Sequence, residues 1–593
     1  MGAHGSASEV MMEQTSASEP NCSSPPPSHG RGRARGRGSA HGSGRGRATS
    51  SGNHRKLKSH GHASSSSNRP KLKTAIRKPR GRSQTMKTLQ WIQPTPNEED
   101  HIEQTSVSEE TGRIAEASLK TAVWSGDANQ VTSSEDDFAT PAAVDGQHVP
   151  NTSGVFDYAT WLVDRLTLEQ RLKLAGHFTW IDLCAGLGTP FIAYEALHRA
   201  MLPHGLKLAG ECKGLTEKTK EKRAALRRLA VYGGSSPPIF VSNSDLTSRM
   251  PKDDEGNHQN LPIAEHLFLG IVCVDISCCT TTPKSLIDES GNYGKCWLDF
   301  LAYLDVLSFE ERPISLVLEC AANLGNNRTV QGRVEKGTLL VIEALRERGY
   351  VGQWRKVSAT QFFLPQSRPR VWALFLKVRG GMGPKAIRER ERDVAQAFEF
   401  IHSSQTCSHE SLKRILDRTP MPPHAHRPQK TGRKKGQAWM TSQAPKFQSL
   451  HGLSDEEVHQ GQDEFLKTTA DVLLPRQQSV VWLELCRLRK KGKIPNWKDG
   501  VLVSDCGSNF GWLSVVRDKF PCVRPGNFYF VLKQGQPNIA HGLLCLAVQG
   551  IGVEEANAFE LFLEEDSLLR SLAGNAFSAN ICLAFLVAAL LSS

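Results

Sequence analysis

Between Glu19 and Glu98 the chain has no acidic residue. Nowhere does it run to the ~18 uninterrupted apolar residues that a membrane-spanning helix needs, so no span and no membrane partner are expected. No apolar h-region follows Met1, so no secretory signal is expected either. The 14 cysteines form no Cys-x-x-Cys pair and no disulfide-scaffold spacing. That sets aside a zinc ribbon, leaves no metal expected, and fits thiols kept reduced as small buried hydrophobes. Aliphatic runs are almost missing from the first 150 residues, which are crowded with Ser, Gly, Pro, His and Arg. Such a stretch cannot bury enough surface to offset its ordering entropy, and residues 1–154 are expected to be a disordered tail.

What the tail does have is charge of one sign. From Arg31 to Lys87 there are 17 Lys and Arg, against a net charge of +12 for the whole chain, so the remainder is net acidic. Gly-Arg runs such as Gly30 to Gly38 suit non-specific, salt-dependent contact with phosphates. A solvated linker or a localisation signal would use the same charge run.

From Val155 the pattern changes. Phe156 to Leu174 has helical apolar spacing, and Phe178 to Cys184 is a short apolar run ending in a glycine-rich turn. Pro190 to Ala200 is again helical, which makes a strand–turn–helix unit. Further strands are expected at Leu206 to Gly210, ending at Glu211, and at Pro238 to Val241, with Asp245 just beyond. Leu267 to Val272, Ile314 to Leu318 and Trp372 to Leu376 continue the series, with helical stretches between them such as Thr338 to Arg348. Alternating strands and helices imply an open α/β sheet that binds ligands at the carboxyl ends of its strands. After Val378 the alternation breaks into basic and Pro-rich pieces, with strand-like returns at Val501 to Val503 and Phe528 to Leu532. The apolar helical pattern resumes at Gly542, and Ile581 to Leu591 reads as a buried helix. The expected organisation is a sheet domain over 155–379, an inserted irregular domain over 380–541, and a segment 542–593 that completes the first domain.

The turn Asp182-Leu183-Cys184-Ala185-Gly186-Leu187-Gly188 lets the backbone bend tightly and a ligand approach closely. Glu211 and Asp245, read as acids at successive strand ends, can hold a ribose hydroxyl pair and an adenine amino group. Together these features point to an adenosine-containing cofactor. Glu319 ends an apolar strand, where a carboxylate is costly without a partner. Gln366-Ser367-Arg368-Pro369-Arg370 leads into the next strand and supplies two planar donor forks.

In their order these motifs resemble the DNA cytosine-5 methyltransferase family over residues 175–593. Asp182 to Glu195 is similar to that family's motif I, with Cys184 where Phe is usual and Thr189 where a second Gly is usual. Glu211 and Asp245 match its ribose- and adenine-binding acids. Val317 to Leu324 resembles the Glu-Asn-Val motif, and Gln366 to Arg370 the Gln-x-Arg-x-Arg motif. Val548-Gln549-Gly550 resembles Leu-Gln-Gly, and Gly574 to Phe577 the closing Gly-Asn-Ser-Val.

The resemblance implies a Rossmann-like methyltransferase sheet with an inserted target-recognition domain. It implies S-adenosyl-L-methionine held by Asp182, Cys184, Gly186, Gly188, Glu211, Asp245, Asn575 and Ala576. It also implies a flipped cytosine of DNA, in the nucleus, held by Glu319, Arg368 and Arg370, with both arginines projecting into the pocket of Glu319. The nucleophile frame Gly-x-Pro-Cys-Gln-x-x-Ser fits Gly270 to Ser277, which places Cys273 as the thiolate, with Val272 and Val274 replacing Pro and Gln. Cys278 and Cys279 are rivals in a degenerate reading of the same motif, and an inert Cys273 is a third reading. An RNA cytosine-5 methyltransferase of the same fold, or a non-catalytic nucleic-acid-binding protein built on it, would carry the same motifs.

Overall fold

The computed structural model describes residues 154–593 apart from 233, 235, 272–284, 287–291, 331–332, 380–382, 406–410, 420–432, 495 and 508–514. The expected tail up to residue 153 lies outside the described residues, as do Cys273, Cys278 and Cys279. The described residues all belong to the unit Asn129–Ser593.

Among the described residues, nine strands run up to residue 377. They are β1 (His177–Leu183), β2 (Ala209–Thr216), β3 (Ile239–Phe240), β4 (His266–Gly270), β5 (Ser315–Ala321), β6 (Asn327–Val330), β7 (Arg333–Lys336), β8 (Tyr350–Ser358) and β9 (Pro369–Lys377). Seven of them form one sheet in the order β3-β2-β1-β4-β5-β9-β8, while β6 and β7 pair with each other. Neighbours among β1 to β5 are parallel, and β9 is antiparallel to both β5 and β8. The strand order reverses between β1 and β4, and in such sheets the crevice at the reversal is where ligands bind.

The strands read as continuous apolar runs because both faces of the sheet are covered. Along β9, Trp372, Leu374 and Leu376 enter one core, and Val371, Ala373 and Phe375 enter the other. The first core lies under the helices Val155–Asp164, Thr189–Met201, Lys220–Tyr232 and Ala579–Ser592. The second lies under Asn292–Val306 and Gly337–Arg346. The helix expected over Phe156 to Leu174 is two helices. Thr167 breaks it by capping Leu168–Leu174, with its side chain and that of Gln170 satisfying each other's backbone N–H.

A second, antiparallel sheet has the order β11-β10-β12-β13, formed by β10 (Val501–Asp505), β11 (Val515–Arg517), β12 (Tyr529–Lys533) and β13 (Gln536–Ile539). Leu502, Phe530 and Leu532 pack on a helical cluster around Trp482, while Val501, Val503 and Val531 face the main core. The helix Pro384–Ser403 falls inside the 380–541 stretch yet packs in the layer of the main sheet. Its Phe398 ring meets Phe585 edge-on at 5.9 Å, and Arg390 Nη1 donates to the Ser592 carbonyl at 3.1 Å. No single described helix is long and apolar enough to cross a membrane. The most apolar one, Ala579–Ser592, is buried from Ala579 through Leu590.

The N-terminal helix is capped from a distance. Phe156 N donates to Glu555 Oε1 at 2.9 Å, and Glu555 is buried with Oε2 unpartnered. Burial pushes this carboxyl up to about 7. An acid raised in the folded state contributes stability that is present below its unfolded value and is lost as pH rises through the folded value. Glu555→Gln keeps the acceptor and removes the titration. Thermal melts from pH 5 to pH 8 are expected to show matching stabilities at the acid end and a variant more stable by a few degrees at the alkaline end. A constant gap across that range would refute the assignment.

Candidate functional site

The crevice at the order reversal is built from three strand ends. At the end of β1, Asp182 is fully buried, and neither carboxylate oxygen has a partner. Burial, and then the charge of Glu217, hold its carboxyl well above the usual carboxylate range. The chain next turns through Cys184 (φ 58°), Gly186 (φ 58°) and Gly188 (φ 75°), all in the left-handed region, before the helix Thr189–Met201. Glycine is required twice. A Cβ on Gly186 would sit 2.8 Å from the Asn575 carbonyl oxygen, and one on Gly188 would sit 2.7 Å from Leu226 Cδ2.

Thr216, the last residue of β2, ties the three ends together. Its Oγ1 accepts from Cys184 N at 2.7 Å and donates to Asn243 Oδ1, just past β3, at 2.7 Å. Glu217 follows, buried, accepting from Gly186 N at 3.1 Å and from Thr219 N at 2.8 Å. This corrects the sequence expectation. Glu211 is the third residue of β2, pairs with Thr179 of β1 toward the amino end of both strands, and is exposed beside Lys213 Nζ at 2.5 Å. The strand ends six residues later than its apolar start indicates, so the strand-end acid is Glu217. The signal was present in the buried run Gly214-Leu215-Thr216, followed by a helix with Ala225, Leu226 and Leu229 on its apolar face. Asp245 lies in the turn Asn243–Thr247 after β3, where its Oδ2 accepts from Ser242 N at 2.9 Å.

The C-terminal segment closes over the glycine turn. Asn575 ends the helix Asp566–Asn575 against Gly186, with its side chain exposed. Ala576 is buried, and Phe577 N donates to Thr189 Oγ1 at 3.2 Å.

Beside this crevice, β4, β5 and β9 carry a second group. Glu319 of β5 is nearly buried, and its Oε1 lies 3.0 Å from Arg370 Nε of β9. Ile271 N donates to the Glu319 carbonyl at 2.9 Å, which fixes the start of the segment that contains Cys273. Arg370 Nη2 also contacts Cys522 Sγ at 3.2 Å.

Arg368 corrects the other expectation, that both arginines face Glu319. Its fork turns to main-chain carbonyls instead, with Nη1 to Val523 at 2.7 Å and Nη2 to Ala576 at 2.9 Å and Gly574 at 3.4 Å. The physical reason is the end of the helix Asp566–Asn575, whose last carbonyls lack intrahelical partners and attract a cation. Gln366 is fully buried with both side-chain polar atoms unpartnered. Its neighbours stitch the box to residue 520 through Ser367 N to the Phe520 carbonyl at 2.9 Å and Phe520 N to the Pro365 carbonyl at 2.6 Å.

Cys522 had no sequence signal, because its irregular segment meets the arginine box only in the folded chain. Burial raises its thiol, but Arg370, Arg368 and Arg524 outweigh this and leave it below its ordinary value. Cys184 has the opposite environment. A hydrogen bond with Cys296, burial, and the charges of Glu217 and Asp182 hold its thiol well above the ordinary value.

Buried acids, a glycine turn and a carboxylate–guanidinium pair can hold a cationic, hydroxyl-bearing ligand beside a polar ring. Comparison with known proteins gives the arrangement its kinship. The sequence is 24% identical over 436 residues, 69% of this chain, to DNA (cytosine-5-)-methyltransferase DMT5 of Cryptococcus neoformans var. grubii. The likeness in sequence is thus to a cytosine-5 methyltransferase. It spans 17% of the length of that relative. No family model matches the sequence. Solved structures similar to this one include the Dnmt2 methyltransferase of S. pombe, at 11% identity and a TM-score of 0.37, covering 70% of this chain and 98% of that one. A DNMT2 mutant of Spodoptera frugiperda has 11% identity and a TM-score of 0.34, covering 70% and 99%. The Entamoeba histolytica methyltransferase EhMeth has 10% identity and a TM-score of 0.34, covering 70% and 98%.

The two arginines of this site therefore separate in a test of stability. Arg368→Met leaves three buried carbonyls without their guanidinium donor, a loss of about 1–3 kcal/mol for each contact left unmade. A lower melting temperature and faster proteolysis around residues 505–529 are expected. Arg370→Met leaves the nearly buried Glu319 carboxylate without its ion partner and is expected to regain stability when combined with Glu319→Gln, whereas Arg368→Met is not. Equal rescue of both by Glu319→Gln would refute the separate roles.

Proposed function

We propose that this chain methylates C5 of cytosine in DNA with S-adenosyl-L-methionine as donor. The observation that carries the reading is the Glu319–Arg370 pair at 3.0 Å, beside the fixed start of the segment bearing Cys273. The crevice fits the cofactor by its chemistry. An orphaned buried carboxylate at Asp182 seeks a cation, and Glu217 presents a second carboxylate at the adjoining strand end. Asp182 and the turn through Cys184, Gly186 and Gly188 would hold the cationic amino-acid end. Glu217 would hold the ribose hydroxyls and Asp245 the adenine amino group, with Asn575 and Ala576 closing the pocket. When bound, the cofactor supplies a methyl group made electrophilic by its sulfonium.

The chain's own residues do the rest. A cytosine must leave the base stack to reach a strand-end crevice. Arg370 holds Oε1 of Glu319, which leaves Oε2 to meet the ring at N3 and the exocyclic amine. The Cys273 thiolate attacks C6 and makes C5 nucleophilic. Arg368 positions the seam and does not touch the base. DNA as substrate follows the activity named for the Cryptococcus relative, and the basic tail would add phosphate contact.

Two experiments test this. The parent chain is expected to form a denaturation-resistant complex with DNA containing 5-fluorocytosine, and Cys273→Ser to form none. Trapping that survives Cys273→Ser but not Cys278→Ser moves the nucleophile. Trapping on RNA alone moves the substrate. Absence of labelled methyl transfer to either nucleic acid leaves a binding module. For the cofactor, Glu217→Gln is expected to weaken S-adenosyl-L-methionine binding about tenfold or more, the scale of a charged hydrogen bond. Calorimetry should find Glu211→Gln unchanged, and the reverse order would return the ribose contact to Glu211.

A further inference from the structure

Cys184 and Cys296 face each other at the back of the glycine turn with their Sγ atoms 3.2 Å apart. Neither is in a disulfide, and both are half-buried. Cys184 occupies the motif I position where Phe is usual, so the pair departs from the family pattern. Its left-handed backbone is uncommon for a residue with a side chain. That conformation is held by the bond from Cys184 N to Thr216 Oγ1, and the thiol meets the helix Asn292–Val306 at Cys296. Asn243 lies against both sulfurs, with Oδ1 3.8 Å from Cys184 Sγ and Nδ2 3.5 Å from Cys296 Sγ.

We propose that Cys184 and Cys296 form a peroxide-oxidised thiol pair that closes to a disulfide and deforms the cofactor turn. The chemistry needs one peroxide. One thiol gives a sulfenic acid and releases the reduced peroxide as water or an alcohol. The second thiol then displaces hydroxide from that sulfur, the S–S bond forms as the S–O bond breaks, and the hydroxide leaves as water with the second thiol's proton. Two thiols thus supply the two electrons that split the peroxide O–O bond. Closure draws the sulfurs from 3.2 Å to about 2.05 Å. The new bond pulls on Cys184, which lies between Asp182 and Gly186 in the glycine turn. Its tension is thereby carried into the turn. The hydrogen bond with Cys296, burial, and the charges of Cys296, Glu217 and Asp182 disfavour a thiolate at Cys184, so linkage is slow at neutral pH and quickens as pH rises.

The effect on binding rests on the proposed cofactor site, whereas formation of the bond does not. The test treats the full chain with graded hydrogen peroxide, blocks free thiols and maps peptides by mass spectrometry. Hydrogen exchange of residues 182–188 and S-adenosyl-L-methionine affinity are then measured before oxidation, after it, and after reduction with dithiothreitol. A Cys184–Cys296 linked peptide is expected, with altered exchange in the turn and an affinity reduced about tenfold, within the usual range of a coupling between sites and restored by reductant. Cys296→Ser should bind the cofactor like the parent and be insensitive to peroxide. Absence of the linked peptide, unchanged exchange in the turn after linkage, or equal peroxide sensitivity in Cys296→Ser overturns the proposal. A reduced chain that binds no cofactor overturns the cofactor reading instead, and the peptide map and exchange still decide the thiol pair.

Discussion

The two halves of the site meet through one side chain that touches neither ligand. Arg368 offers a buried guanidinium to the carbonyls of Val523, Gly574 and Ala576, which belong to segments about 155 to 208 residues away in sequence. Without that fork, the segment before β12 and the turn that closes over Gly186 would each hold buried carbonyls with no donor. With it, the start of β9, the segment before β12 and the C-terminal turn share one charge. Arg370, two residues on, is thereby placed between Glu319 and Cys522. Of the two arginines in the box, the first joins segments and the second pairs with the carboxylate.

The crevice beside it is organised by a hydroxyl. Thr216 Oγ1 accepts from the β1 turn and donates to Asn243 past β3, so the three strand ends that would meet a cofactor are tied to one another. Fixed ends matter because Asp182 and Glu217 carry like charge in a buried space. Burial, and then the charge of Glu217, disfavour ionisation of Asp182. A flexible crevice would relieve that by swinging one acid into water. A tied one keeps it for a cation.

Much of the fold was legible because β1, β4, β5 and β9 are buried on both faces and read as unbroken apolar runs. β2 was misplaced because Glu211 and Lys213 interrupt its first half, and the apolar cluster just upstream drew the strand too early. β8 went unseen because Gln353, Arg355 and Lys356 stand on an edge strand with half-open faces. The Glu319–Arg370 pairing was legible, since a carboxylate at the end of a core strand needs a partner and the arginine box offers one. Arg368 was not, because its partners are main-chain carbonyls, which leave no mark on side-chain patterns. Cys522 and Cys296 were invisible for a related reason. A lone cysteine in sequence does not reveal whether it will face guanidinium groups or another thiol.

Two buried residues with unpartnered polar atoms lie at this site. Asp182 keeps both oxygens unpartnered and Gln366 its whole amide. Each buried group left unmade costs about 1–3 kcal/mol. Such costs persist where the surrounding structure over-determines the geometry, and here the Thr216 tie and the Arg368 seam supply that rigidity. A ligand that satisfies Asp182 would recover part of the cost on binding, so the crevice is preorganised for a cation and less stable without one. The arginine box cannot change without unseating three carbonyls and a carboxylate at once.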